Sequence, residues 1–474
     1  MPLQSHIRCF LPALFAALTT LSASATPPNF VVIYIDDQRA DALGFVNPRV
    51  QTPNLTRLAG QGLYFPQAFT VSALCSPSRA QLLTGRYGSQ NGVTELASRT
   101  SAAGQDTSVN AGEPLVFLTL KNAGYRAGLV GKWHIENTPG ECGFEYQRWF
   151  YGNGDYFDVP FLTEAGDEIP TFGHVEAANV RFGIEFIKEA SAAEAPFALF
   201  FNTRAPHMNS AFAWSVEDAT REKHPLEIFS PPGSWSDDLS GKPAYLKSGR
   251  NRMQALHYGY EHAYDLGRHQ QGYYSAVSEL DAHLGSLFEE MKRLGLMDDT
   301  YIILMGDNGW MLGEHRFTSK VLAYEESIRV PLVLAGPGIK PGVSHQLALN
   351  IDIAPTLLEW AGLAADPKMY GKSLAAIASS SGAPPIRDAF LYEMPPAAET
   401  ARNPFIRAIR SSRYKFIRTY DATGTRPAGE DELYDLAIDP EEESNLAGVV
   451  NYFGVKRILE DRLEAEMLAV SNGR

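Results

Sequence analysis

The residues with the clearest chemical potential lie in Cys75-Ser76-Pro77-Ser78-Arg79-Ala80-Gln81-Leu82-Leu83-Thr84-Gly85-Arg86. Ser76 is a good N-cap, Pro77 suits the first helical position, Ala80 to Leu83 propagate a short helix and Gly85 can close it. Cys75 is therefore expected at a helix N-terminus. Unpaired N–H groups and a partial positive charge there lower a thiol pKa or receive an anion, and Arg79 adds a full charge one turn along. The competing reading is a small buried cysteine before a turn. Two further groups of residues suit an anion held against a metal. Asp36-Asp37 follows the apolar run Asn29 to Ile35, and Asp307-Asn308, flanked by Gly306 and Gly309, follows the run Thr300 to Met305. Four oxygen ligands in two such endings suit a hard cation better than an exposed loop start. Lys132 and His134, two apart on an extended segment, point to the same side. His207 follows a buried run and Pro206, and Lys320 lies in the loop after Asp307.

These residues need a scaffold that brings distant stretches to one edge. Asn29 to Ile35 is a continuous β-branched and aromatic run, as expected of a central strand buried on both faces, and Pro196 to Asn202 and Thr300 to Met305 read alike. Tyr125 to Gly131 is strand-like and delivers Lys132-Trp133-His134. In open α/β sheets ligands sit outside the carboxyl ends of the strands, where each of these groups falls. Helices are expected over 52–62, 113–124, 175–190, 272–294 and 352–363. The aromatic-rich segment from Phe144 to Phe161 reads first as packing and second as a stacking platform for a sugar or aryl ring. Residues 208–260 read as an irregular excursion over one end of the sheet, of the kind that carries substrate specificity. Lys368 to Ser381 reads as a linker. After Pro384, alternating runs at 406–411, 414–420 and 432–435 suggest antiparallel strands, closed by a helix over 448–471.

Composition sets outer bounds. The first 25 residues resemble a secretory signal, with Arg8, an apolar run from Cys9 to Leu21 and the small-residue site Ala23-Ser24-Ala25. That run is shorter than the ~20 residues a spanning helix requires. An exported chain without a membrane anchor, periplasmic or extracellular, is the expectation. Its removal leaves two cysteines, Cys75 and Cys142, so the core and not disulfides must hold the fold. A formal net charge of −14 argues against nucleic acid or anionic membrane as a partner and makes an anionic substrate depend on a local basic pocket.

Cys-Xaa-Pro-Ser-Arg followed by Leu-Thr-Gly resembles the signature of the formylglycine-dependent sulfatases, and the other motifs stand in that family's order along nearly the whole mature chain. The resemblance implies an α/β fold of the alkaline phosphatase type, a large mixed sheet sandwiched by helices, with a smaller C-terminal antiparallel sheet plus helix. It implies a catalytic domain over 26–383 and a C-terminal subdomain over 384–474. By the same resemblance Asp36, Asp37, Asp307 and Asn308 bind one calcium ion (Ca2+), Cys75 becomes formylglycine through a maturation enzyme, and Arg79, Lys132, His134, His207 and Lys320 line a sulfate pocket. The expected reaction is hydrolysis of sulfate monoesters, with His207 or Lys320 assisting the leaving oxygen and His134 taking the proton that releases sulfate. Export, the aromatic segment and the long excursion favour a sulfated sugar, attacked at chain ends or on short oligosaccharides, because the acidic surface repels a long polyanion. An arylsulfatase or choline-type sulfatase, a phosphonate or phosphodiester hydrolase, and a sulfate-ester binding protein with unmodified Cys75 remain alternatives.

Overall fold

Asn29–Ile35 forms strand β1, and its side chains alternate between two cores. Phe30, Val32 and Tyr34 share one core with Ala80, Leu82 and Leu83 of helix α1 (Cys75–Thr84). Val31, Ile33 and Ile35 enter the other, against helices α2 (Val175–Ala192) and α3 (Ala263–Arg293). An uninterrupted apolar run thus serves both faces of a sheet covered by helices. The computed structural model describes residues 27–97, 107–395, 403–421 and 423–473, and the expected leader over 1–25 lies outside them.

Nine more strands complete the main sheet: β2 (Leu63–Tyr64), β3 (Arg126–Trp133), β4 (Tyr146–Tyr151), β5 (Phe161–Leu162), β6 (Glu168–Ile169), β7 (Phe197–Asn202), β8 (Thr300–Gly306), β9 (Leu332–Ala335) and β10 (Gly342–Val343). Their order is β10-β2-β9-β8-β1-β7-β3-β4-β5-β6. From β8 to β4 all neighbours are parallel, whereas β9 runs against β8. Register decides the rest. Ile35 pairs with Gly306, Tyr34 with Asn202, and Asn202 with Gly131. Asp36, Asp307, Thr203 and Lys132 therefore emerge side by side at one sheet edge. Gly131 is required there: its φ is +95°, and a Cβ would stand 1.8 Å from the Asn202 carbonyl oxygen.

A second, antiparallel sheet follows with strands β11 (Ala389–Met394), β12 (Phe405–Ser411), β13 (Tyr414–Tyr420) and β14 (Pro427–Asp435), packed by helix α4 (Phe453–Ser471). The large mixed sheet between helices with a smaller C-terminal sheet is the architecture expected from the sequence. Phe390, Tyr392, Phe416 and Leu433 share a core with Phe69, Val71 and Leu74, so the small sheet supports the segment that leads to Cys75. Among the described residues, no helix is long and apolar enough to cross a membrane.

Several local expectations change. Helix α3 starts at Ala263, nine residues before Gly272; that glycine lies within the helix because Trp214 packs where a Cβ would be, at 3.1 Å. Helix α4 starts at Phe453 and not at 448, and β11 has no counterpart in the sequence reading. In the stretch read as a linker, Ala375–Ser379 is a short helix with Ile377 and Ala378 buried. Phe144, Tyr146, Phe150, Tyr156 and Phe161 are buried, so the aromatic segment is chiefly packing, while Phe157 remains 41% exposed.

Candidate active site

Helix α1 enters the sheet edge with Cys75 as its first residue, capped by Leu74 and closed by Gly85 at φ 66°. Ser76 is not the N-cap. It lies inside the helix and its Oγ accepts the Ala97 N–H at 3.0 Å, because Leu74 already supplies the extended cap residue. Ser78 fastens the helix to the sheet: its Oγ donates to the Asp307 carbonyl at 2.6 Å and lies 2.6 Å from the Tyr34 hydroxyl. Arg79, fully enclosed, donates to Asn202 Oδ1 at 2.5 Å and to Asp307 Oδ2 at 2.8 Å, with Asp36 Oδ1 at 3.7 Å.

Cys75 Sγ lies 2.7 Å from Lys320 Nζ and 3.4 Å from Asp36 Oδ1. Lys132 Nζ donates to Asp36 Oδ2 at 2.6 Å and to Asn153 Oδ1 at 3.0 Å; Lys320 Nζ donates to Asp37 Oδ1 at 2.5 Å. The Asp37 N–H donates to Asp307 Oδ1 at 3.0 Å, and Asn308 Nδ2 donates to Asp37 Oδ1 at 2.6 Å. His207 Nε2 stands 3.6 Å from Asp37 Oδ2, and its Nδ1 donates to the Met208 carbonyl at 2.7 Å, which leaves the Nε2 lone pair of the neutral ring facing the carboxylate. His134 follows β3, is buried, and keeps Nδ1 without a partner. The sequence-predicted residues thus meet in one cluster, with His134 at its margin.

The electrostatics of this cluster ask for a cation. Asp37 Oδ2 and Asn308 Oδ1 are buried with no hydrogen-bond partner, an unfavourable state for acceptors deprived of water. Ligand atoms of Asp36, Asp37, Cys75 and Asp307 all lie within 4.8 Å of one another. Burial alone would raise the Asp36 carboxyl, but Lys132, His207, Arg79 and Lys320 hold it well below the usual carboxylate range. Asp307 is pushed up to about 7, by burial first and then by Asp36. The three carboxylates, with the Asn308 amide oxygen, are hard donors of the kind that fit calcium or magnesium. Asp37 also adopts φ 58°, a conformation rare outside glycine and frequent at functional sites.

The remaining groups depart from simple expectation. As a thiol, Cys75 is not acidified by the helix end; burial, then Asp36, pushes its pKa up. Burial, with Lys132 and Arg79 nearby, holds His134 well below the usual imidazole value, and burial brings His207 down to about 4 against the pull of Asp37 and Asp36. Sequence reasoning missed Asn202, which receives Arg79, and treated Asn153, which receives Lys132, only as a turn residue. Asn202 had a signal, since it ends a buried strand at the same edge as the acids. Trp310 had none: the Lys320 ammonium lies 5.8 Å from its ring centroid and the His207 ring 6.2 Å away.

Comparison with known proteins places the chain among sulfatases. Residues 28–363 match the sulfatase family and residues 313–468 the N-sulphoglucosamine sulphohydrolase C-terminal family. An N-acetylglucosamine-6-O-sulfatase of Bacteroides thetaiotaomicron is 27% identical, over 94% of this chain and 89% of its own length. Human N-acetylgalactosamine-6-sulfatase is 30% identical over 72% of this chain and 63% of its own length. A solved structure in complex with its substrate D-glucosamine-2-N,6-O-disulfate superposes with a TM-score of 0.82 at 25% identity, covering 94% of this chain and 99% of the other. With an alkaline phosphatase-like fold, that cluster at the carboxyl ends of its parallel strands and a family match across most of its length, the chain belongs to the sulfatase family and is a sulfuric ester hydrolase.

Proposed function

We propose that this enzyme hydrolyses sulfate monoesters of carbohydrates, using formylglycine formed from Cys75 and one calcium ion held by Asp36, Asp37, Asp307 and Asn308. The observation that carries the reading is the position of Cys75, 2.7 Å from Lys320 Nζ and 3.4 Å from Asp36 Oδ1 at the rim of an oxygen cluster with two unpartnered acceptors. Calcium there supplies positive charge to the oxygens of the ester. Cys75 as hydrated formylglycine would supply one hydroxyl to the sulfur and a second whose loss of a proton would free sulfate, chemistry for which a serine or free cysteine lacks the second hydroxyl. Arg79, Lys132 and Lys320 balance the three carboxylates in formal charge, so the added cation gives the pocket a net positive charge for an anionic ester. His207 and Lys320 flank Asp37 and serve the departing alcohol oxygen, the proton coming from the Lys320 ammonium or from Nε2 of His207 in its imidazolium form. His134, neutral at working pH and with Nδ1 free, takes the proton of the second hydroxyl.

A sugar substrate is supported by the substrates named for the relatives and by the loop beside Lys132. Asn153 lies between Tyr151 and Gly154, which line a cavity of about 400 Å³ together with Asp155 and the half-exposed Phe157. An aromatic wall with polar neighbours suits the C–H face of a pyranose and its hydroxyls. Exo action on oligosaccharides follows from the acidic surface. We further read 26–383 as the catalytic unit, 384–474 as a supporting subdomain, and 1–25 as an export signal that delivers the enzyme to the periplasm or beyond.

Peptide mass spectrometry on protein made with a formylglycine-generating enzyme, joined to desulfation assays, tests the reading. The Cys75 peptide is expected as the aldehyde, and sulfated mono- and oligosaccharides are expected to turn over faster than aryl or choline sulfate. Fully active protein with only a free thiol sinks the aldehyde. Faster turnover of an aryl or choline ester than of every sugar overturns the substrate class, and efficient attack on internal sulfates of intact polymer overturns exo action.

A further inference from the structure

Lys320, whose Nζ lies 2.7 Å from Cys75 Sγ, stands on an unusual piece of backbone. Its neighbours Ser319 and Val321 adopt φ 70° and 77°, and His315 and Arg316 in the same loop adopt φ 51° and 56°. For non-glycine residues, and above all for a β-branched valine, these are sparsely populated conformations that persist only where the surroundings impose them. Besides the ladder that pairs Ser319 with Met311 and Thr318 with Leu312, the backbone here is held from the excursion over residues 208–260. Asn251, on the helix Arg250–His257 and 2% exposed, donates both hydrogens of its Nδ2, one to the Thr318 carbonyl at 2.7 Å and one to the Lys320 carbonyl at 2.8 Å. Its Oδ1 accepts from Asn403 Nδ2 at 3.1 Å, which fixes the orientation of the amide. One side chain therefore bridges the carbonyls on either side of Ser319 and sets the direction in which the Lys320 stem leaves the backbone.

We propose that Asn251 is a positioning residue for Lys320, so that the excursion serves the chemistry of this enzyme as well as its substrate. The inference rests on the reading of Lys320 as a group that touches the ester. Only a side chain with two donors on one planar nitrogen makes both bonds; aspartate, of the same shape, makes neither and sets a charge against two carbonyl oxygens.

The test is a double-mutant cycle on the mature enzyme with N-acetylglucosamine 6-sulfate, whose poor leaving group draws on Lys320, as probe, with thermal melting recorded for each variant. Asn251→Ala and Asn251→Asp are expected to lower kcat by about 10- to 100-fold, the scale of a reacting group displaced by about 1 Å, with KM changed less than about 3-fold. In a Lys320→Ala background the same changes are expected to cost less than about 3-fold more, because the lysine they position is gone. A merely structural Asn251 multiplies its loss unchanged into that background, and this outcome, or full activity of both Asn251 variants, overturns the proposal alone. Wild-type activity of Lys320→Ala overturns the reading of Lys320 and the proposal with it. Should Asn251→Ala fail to fold, Asn403→Ala, which frees the amide but leaves both donors, is expected to lower kcat by a smaller factor that likewise vanishes without Lys320. Persistence of that factor in the Lys320→Ala background counts against the proposal.

Discussion

Asp37 combines a left-handed backbone, a carboxylate oxygen buried without a partner and bonds from Lys320 and Asn308, an arrangement that costs stability until a cation completes it. Asp37→Ala and Asp307→Ala are therefore expected to lose calcium binding and turnover together, read by calorimetry and by desulfation; full turnover after exhaustive chelation contradicts the site. Replacing His207 is expected to slow turnover of alkyl and sugar sulfates by roughly 10²- to 10⁴-fold and of nitrophenyl sulfate far less, since a good leaving group needs no proton. Equal losses on both assign the proton to Lys320. At this scale the sequence was most legible where a charged group directly follows an apolar run, as with Asp36, Asp37, Asp307 and Asn308. It was silent on Asn153 and Asn251, uncharged amides whose partners lie 21 and 69 residues away, and Asn202, whose partner lies 123 residues away, showed only as the end of a buried run.

Strands made the elements legible because their apolar runs are continuous, and helices were read less well. Glycine was taken as a boundary of helix α3, yet Gly272 sits inside it, its missing side chain replaced by the indole of Trp214. A propensity near 1 kcal/mol yields to packing of that kind, and no local pattern reveals it. Strand β11 escaped notice because its run of buried residues has no alternation and no partner is visible before the small sheet is assembled. The close parallel pairing of β3 and β7 gives a sharper prediction. Gly131→Ala places a methyl on the Asn202 carbonyl in a left-handed conformation, so β3 must shift just before Lys132 and His134. We expect a loss of at least about 1 kcal/mol in stability by thermal melting, with activity falling more steeply than stability. An unchanged activity would show that the strand end moves without harm.

For the molecule as a whole, the two sheets are joined by buried charge. Lys415 of β13 lies 2.9 Å from Glu325 and 2.7 Å from Glu442, and Arg410 of β12 bonds Glu325 at 3.1 Å. Lys415→Ala leaves the buried Glu442 without a cationic partner, while Glu325 keeps Arg410, and is expected to cost about 3–5 kcal/mol, seen as a lowered Tm. A second buried acid supplies a pH dependence. Glu279 in helix α3 is pushed up to about 7 by burial, and its Oε2 has no hydrogen-bond partner. A carboxyl raised above its unfolded value leaves stability intact below that value, near 4.5, and withdraws it as pH rises toward 7. Glu279→Gln should therefore raise Tm at pH 8 and leave it nearly unchanged at pH 4.5; the same change at both would remove titration as the cause.

The enclosure of Cys75 also has a meaning in time. Its side chain is 1% exposed, behind a helix that Ser78 fastens to a strand 229 residues further along the chain, so its sulfur is within reach of another protein only before those distant segments have met. On the reading of Cys75 as a formylglycine precursor, maturation and folding compete for one thiol, and the order of the two decides how much active enzyme is made. Protein folded without the maturation enzyme should stay unmodified when that enzyme is added later, and should become a substrate for it after unfolding. Conversion of the native protein at the same rate would show that the pocket opens on its own.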